Sequence, residues 1–390
     1  MNPEDPELQP RQPEALSAET PVESPLATAA DAALKPEIKK YRGLRWVFMG
    51  SQGLRAGWSV LIFAALAFLV IFLIATIATA IAKAHHAPQN HGITALTTII
   101  GESIGVLAIV LAAALVALIE RRRSLLAFNL TGPRRLLNFL YGLVAGFAAL
   151  SMLVGAMTWG GWLHFAPPAL SGAEIFKFAA LWGVAFLLVG CFEEGTFRCY
   201  LQFTLTRGIN FWWALGIIAV ICGDLLLRAK GNGVWGVYGF ALLGLPPCLL
   251  LHLKKTAGAG FWQAAWVTST LFGFIHTSNN GENWVGIFAA AFIGFVFCVS
   301  VRVTGTAWWA IGCHAAWDWA ETYFYGTADS GLVAPGHYLT TNPAGNVLWS
   351  GGMDGPEGSL LVIPIILLLL LAILVLYGRG RQAASVPVAR

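Results

Sequence analysis

The chain has 390 residues, of which 57% are hydrophobic and only 11% are charged, and its mean hydropathy is +0.68. Soluble domains carry about 25% charged residues, and the charges present here crowd into the first 55 positions. That balance excludes a water-soluble or secreted protein and excludes disorder beyond the N-terminus. The formal net charge of +4 comes without any basic run interleaved with aromatics, which speaks against a nucleic-acid partner.

Residues 1–45 are acidic and Pro-rich and read as a disordered cytoplasmic tail, without the apolar run of a signal peptide. Apolar segments follow near 57–83, 94–119, 136–160, 176–205, 211–227, 233–252, 260–277, 284–301, 305–325 and 359–378. At ~1.5 Å per residue, about 20 residues cross the ~30 Å of hydrocarbon in a bilayer. The expected fold is therefore all-α, a polytopic transmembrane helical bundle of about ten spans. The bundle occupies 46–325, and a last span with a short basic tail occupies 358–390. Pro246 and Pro247 interrupt one segment, and the Gly-, Pro- and Asn-rich stretch 326–357 reads as a solvated extracytoplasmic loop.

Lys and Arg gather on one set of flanks, among them Lys39, Arg45, Arg55, Arg121–Arg123, Arg207, Lys254, Lys255 and Arg302. The positive-inside rule then puts both termini in the cytoplasm, and a bacterial inner membrane is the expected location. Gly142 and Gly146 are spaced for a close helix contact. Cys191, Cys199, Cys222, Cys248, Cys298 and Cys313 all sit in apolar stretches and read as packed free thiols.

An ionisable group at the bilayer centre costs about 2.5–3.5 kcal/mol on insertion scales, so each marks a candidate functional site. Three clusters stand out. In Glu193-Glu194-Gly195-Thr196-Phe197-Arg198, Glu194 and Arg198 are i,i+4 and can pair. Glu193 is turned about 100° away and stays free for chemistry. Phe272-Gly273-Phe274-Ile275-His276 places a histidine at a helix end, which taken alone reads as a structural residue. His314, Asp318 and Glu321 follow at i, i+4 and i+7, the spacing of one helical stripe. Glu102 and Asp224 are isolated acids, and His85, His86 and His91 lie in a loop.

The order Glu-Glu-x-x-x-Arg, Phe-x-x-x-His, His-x-x-x-Asp resembles the CPBP intramembrane proteases, the family of Rce1-type CAAX prenyl endopeptidases and of proteins like lysostaphin resistance protein A. Arg121-Arg122-Arg123-Ser124-Leu125-Leu126 is similar to that family's inter-helix loop. The resemblance covers residues 95–325. It implies an all-helical core with a polar intramembrane cavity and hydrolysis of a peptide bond within the membrane. Carried over, Glu193 is the general base, Glu194 and Arg198 are a supporting pair, and His276, His314 and Asp318 complete the site. The commoner last residue is Asn; Asp318 must instead be protonated or orient His314. The second departure is an apolar hairpin, 211–252, inserted between the first two motifs.

The expected substrate is a membrane-associated peptide or protein at the lipid bilayer, prenylated CAAX ends included. Cofactor use is open: none, or one divalent metal such as zinc held by Glu193, His276 and His314. His-Glu-x-x-His is absent from the sequence, and a water activated directly by the side chains is favoured. Two other classes compete, a non-catalytic immunity or scaffold protein on the same fold, and an ion or proton transporter using Glu102, Glu193, Asp224 and Glu321. One geometric requirement follows. Counting from the segment ends sets Glu193 in the inner half of its span and His276 near the outer end of its own, so the two meet only if that helix is tilted or re-entrant or if the span edges lie elsewhere.

Overall fold

The computed structural model describes residues 43–50, 53–84, 93–120, 124–228, 233–279 and 281–378. The acidic tail up to residue 42, His85, His86, His91, Arg121–Arg123 and the basic C-terminal tail lie outside the described residues. Residues 43–50 hold a short helical turn, Leu44–Phe48. All else belongs to one compact unit running from Gly53.

That unit is helical almost throughout. We label its helices α1 (Ala56–Ala84), α2 (Ala95–Ile119), α3 (Arg135–Trp159), α4 (Ala173–Glu194), α5 (Gln202–Gly208), α6 (Phe211–Arg228), α7 (Val234–Leu253), α8 (Ala259–His276), α9 (Trp284–Thr304), α10 (Trp308–Asp318) and α11 (Val362–Gly378). A π-helical stretch, Gly195–Leu201, joins α4 to α5 without a break, and a second, Trp319–Tyr325, extends α10. Seven of the helices are long and apolar enough to cross a membrane. α8, α10 with its π turn, and the 17-residue α11 account for the other three apolar segments expected. α7 continues through Pro246 and Pro247, flanked by α8 and α9. The helices are joined by an antiparallel pair, β1 (Leu163–Ala166) with β2 (Thr340–Pro343), in register from Leu163 opposite Pro343 to Ala166 opposite Thr340. This is an all-α polytopic membrane bundle.

α10 lies at the centre, packed against α3 on one side and α4 on the other, with α8 and α9 paired beside it and α11 leaning on α9 and α3. Small residues allow this approach. A Cβ on Gly142 would collide with the Trp309 carbonyl, one on Gly146 with the Cys313 carbonyl, and one on Gly312 with the Phe139 carbonyl. On the α4 side a Cβ on Gly190 would come within 3.0 Å of the Ile311 carbonyl oxygen. Without an apolar driving force between lipid-bathed helices, such backbone contact is what holds them together. Above it Leu150, Leu153, Met157, Val296, Trp309 and Ile366 form the largest core cluster. Gly146→Leu should therefore push α10 off α3 at a cost of about 1–3 kcal/mol. The thermal midpoint of the purified protein should fall, and an unchanged midpoint would contradict the contact.

Caps set the ends of these helices. Asn283 accepts from the Val285 and Gly286 amides to start α9, and Gly305, at φ 78°, ends it in the left-handed region that glycine occupies freely. Thr94 and Thr97 form a reciprocal capping box on α2.

Candidate active site

The first acidic motif straddles the junction where α4 becomes π-helical. A π stretch leaves backbone carbonyls without their usual helical partners. Here the Asn129 amide donates to the Arg198 carbonyl at 2.7 Å. The side chains of Glu194 and Arg198 are fully buried and paired, Nε to Oε2 at 3.1 Å and Nη1 to Oε1 at 3.2 Å. The guanidinium lies 4.4 Å from the Phe272 ring centroid, with Phe197 and Phe297 beside it. Gly294 leaves the room, since a Cβ there would stand 2.5 Å from Nη2.

The same carboxylate holds the third motif. Glu194 Oε1 lies 2.9 Å from His314 Nδ1, bridging α4 to α10. A carboxylate only accepts, so Nδ1 carries the proton, and Nε2 is left to face Glu193 Oε2 at 3.7 Å and Asp318 Oδ2 at 3.4 Å. The imidazole stacks on Phe297, with centroids 5.9 Å apart. His276 is fixed in the same way: Nδ1 donates to the Phe272 carbonyl at 2.7 Å, which leaves Nε2 unprotonated in the neutral ring. Phe272 touches His276, His314 and Arg198 alike. It is the apolar centre on which the three motifs meet.

Glu193, His276, His314 and Asp318 line one cavity of about 220 Å³, with apolar walls from Phe186, Val189, Ile293 and Ile366. Of the ionised pairs here, the Glu193 side chain is the most open, 24% exposed against 0% for Glu194. Its Oε2 accepts no hydrogen bond. Glu193 and His276 reach that cavity together, His276 from the end of α8 and Glu193 from near the end of α4. With its π stretch and α5 it runs unbroken for 36 residues, Ala173–Gly208, or ~54 Å at ~1.5 Å per residue. Glu193 sits near the middle of that rod, and the first half, mostly exposed or half-buried, is tied to the rest of the protein at three points. Trp319 donates to the Ala179 carbonyl, Tyr323 to the Ile175 carbonyl and Trp182 to the Pro335 carbonyl.

Two residues depart from expectation. Glu321 does not share the stripe of His314 and Asp318, because the π turn after Asp318 shifts the angular step per residue. It accepts from Trp317 Nε1 at 3.0 Å and is not among the cavity residues. Asp224 pairs with Arg228 one turn away, so the four acids of a transport path are not assembled. In the other direction, Asp329, Ser330 and Glu357 line the cavity from the segment read as a solvated loop. The sequence held a signal for them: 326–357 contains acids but no Lys or Arg.

Among the described residues, no three His, Cys, Asp or Glu side chains are arranged to hold a metal ion. His314 Nδ1 is engaged by the Glu194 carboxylate and His276 Nδ1 by the Phe272 carbonyl, which leaves the Nε2 atom of each ring as the nitrogen a metal would take.

Residues 247–320 match the family model described as Type II CAAX prenyl endopeptidase Rce1-like. Over these 74 of its 390 residues the chain is similar to that family. The match takes in α8, α9 and α10, with His276, His314 and Asp318, and leaves Glu193, Glu194 and Arg198 outside it. No curated protein and no solved structure matches the chain. The long apolar helices among the described residues and the Rce1-like match make this an integral membrane protein.

Proposed function

We propose that the chain is an endopeptidase that hydrolyses a peptide bond of a membrane-associated peptide or protein with a water activated by Glu193. The observation that carries this reading is the free Oε2 of Glu193, which faces His314 Nε2 across 3.7 Å inside a cavity that His276 also lines. That gap is too long for a direct hydrogen bond, and a water bound to both atoms sits to one side of the line between them, on the cavity side.

In the reaction, Glu193 takes a proton from the water as its oxygen attacks the scissile carbonyl carbon. The carbonyl oxygen gains the negative charge, and His314, held as an imidazolium among the carboxylates of Glu194, Glu193 and Asp318, offers it the Nε2 proton. Collapse of the tetrahedral intermediate breaks the C–N bond, and the proton held by Glu193 passes to the leaving amine. Glu194, pinned by Arg198, keeps the His314 ring turned. Asp318, 3.4 Å from Nε2, supplies the second orienting carboxylate in place of the amide of an Asn. The apolar walls accept the hydrophobic flank of a substrate, and a prenylated CAAX end is one such group.

The test is product analysis. The purified protein in liposomes, given membrane-tethered reporter peptides in ¹⁸O-labelled water, should yield two fragments with one labelled oxygen in the new carboxyl group. Flux of ions or solutes with every reporter left intact would contradict the reading.

A further inference from the structure

Two carboxyls outside the cavity meet with no base between them. Glu282 stands just before the first turn of α9, and Asp354 lies in the segment that leads to α11. The two side chains are hydrogen-bonded to one another. A Cβ on Gly286 would collide with both Asp354 Oδ2 and Glu282 Oε2, so the two oxygens crowd one point at the start of α9. Asp354 is fully buried. Among the described residues no other side chain donates to its Oδ1 or to Glu282 Oε2. A carboxylate only accepts, so a bond between two carboxyls requires that one of them hold a proton. Two carboxyls that share a site ionise one at a time, as a pair. Burial, then the charges of Asp354 and Glu357, push Glu282 up, and burial raises Asp354 against the pull of the Asn283 amide. The charged groups that face the pair are Glu357, Asp329 and Glu321, all of them acids.

The bond joins two stretches of chain that both reach the cavity. Glu282 Oε1 accepts from Asn279 Nδ2 at 3.1 Å, and the same amide donates to Ser330 Oγ at 3.1 Å. Ser330 belongs to the tight turn bridged from Asp329 to Leu332, and Asp329 and Ser330 line the cavity. On the other side the Asn283 N–H donates to Asp354 Oδ2 at 3.2 Å, and Asn283 Nδ2 donates to the Gly358 carbonyl at 3.1 Å. Glu357, between these two anchors, lines the cavity as well. We propose that the Glu282–Asp354 pair is a proton-operated latch, whose shared proton holds the stretch 350–359 and the Asp329–Leu332 turn against the start of α9 and whose loss frees them from the cavity wall. Once the proton leaves, two negative charges face each other among three further acids, and attraction turns to repulsion. A carboxyl raised in the folded protein stabilises it fully below the ordinary carboxylate range, and that share is lost as pH climbs through the raised one. The latch is therefore shut in acid and opens in alkali. It goes beyond the peptidase reading and does not depend on it.

Limited proteolysis of the whole protein in detergent reads the latch directly, with subtilisin as the added protease and the cut sites found by mass spectrometry. In Glu282→Gln the side-chain amide donates to Asp354 at every pH, so the bond no longer needs the proton. In acidic buffer, at roughly pH 6, wild type and variant should resist cutting within 350–359 equally. At roughly pH 10 the wild type should be cut there about tenfold faster than the variant, the change that one pKa unit of lost proton binding produces. Rates are compared at one pH, so the pH dependence of subtilisin cancels. Asp354→Asn, whose amide donates to Glu282 in turn, should show the same alkaline protection and takes the place of Glu282→Gln if that chain does not fold. Equal cutting of the wild type and a folded variant in alkaline buffer overturns the latch, and so does a difference already present in acid. In the wild type alone, the share of all cuts that fall within 350–359 should rise with pH, and a share that stays flat overturns it too. None of these readouts uses the chemistry of the cavity, so the latch and the peptidase fail separately.

Discussion

Replacing Glu193 by glutamine should lower peptide cleavage by about 10²–10⁴-fold, the usual contribution of a general base. Glutamine keeps the shape of the side chain but has no lone pair basic enough to take a proton from water. The fold should survive, because Glu193 Oε2 accepts no hydrogen bond and the side chain stands partly open to the cavity. The thermal midpoint in detergent should therefore stay within about 2 °C of the wild type, as expected for a change worth less than ~1 kcal/mol in a chain of this size. Cleavage at wild-type rate by a folded Glu193→Gln protein would remove Glu193 from the chemistry.

Arg198→Met should produce the largest loss of stability. Glu194 is fully buried, and its two oxygens are met by Arg198 and His314. Removing the guanidinium strands a carboxylate among Phe197, Phe272 and Phe297. Breaking a buried pair by deleting one partner costs about 3–5 kcal/mol. The double variant Glu194→Leu/Arg198→Met removes the charge and the need for it together and should regain most of the lost stability. It should not regain activity, since His314 Nδ1 then has no acceptor and the ring is free to turn. Thermal unfolding and cleavage measured on the same samples separate the two effects. A double variant as unstable as the single one would mean that the pair is not the source of the cost.

Patterns confined to one helix were legible in the sequence. The i,i+4 spacing of Glu194 and Arg198 is enough to predict their ion pair, and the 100° step turns Glu193 elsewhere. The helical bundle follows from composition, because apolar runs of that length have one stable form in a bilayer. Contacts between helices were legible only where small residues mark them, as at Gly142 and Gly146 against α10. The bond from Glu194 to His314, 120 residues apart, has no local signature. Glu321 was misplaced because the stripe rule assumes 3.6 residues per turn and the helix widens after Asp318. Asp329 and Glu357 were hidden by the Gly- and Pro-rich chain around them, which reads as solvent-facing. Their place in the cavity wall comes from the loop folding back, through β2 onto β1 and through the Trp317 indole onto Glu357. The meeting of Glu193 and His276 in one cavity was not legible either, because a count along each segment carries no information on helix tilt.

The central claim is that Glu193 and His314, brought together by Glu194, act as one unit on one water. A double-mutant cycle on cleavage rate tests it most directly, with Glu193→Gln, His314→Asn and the two combined. Groups that work as a unit lose everything when either is removed. The combined variant should therefore cleave no more slowly than the worse single one, although both remain folded. Losses that multiply in the combined variant would mean that the two side chains act independently, and the shared-water account would be wrong.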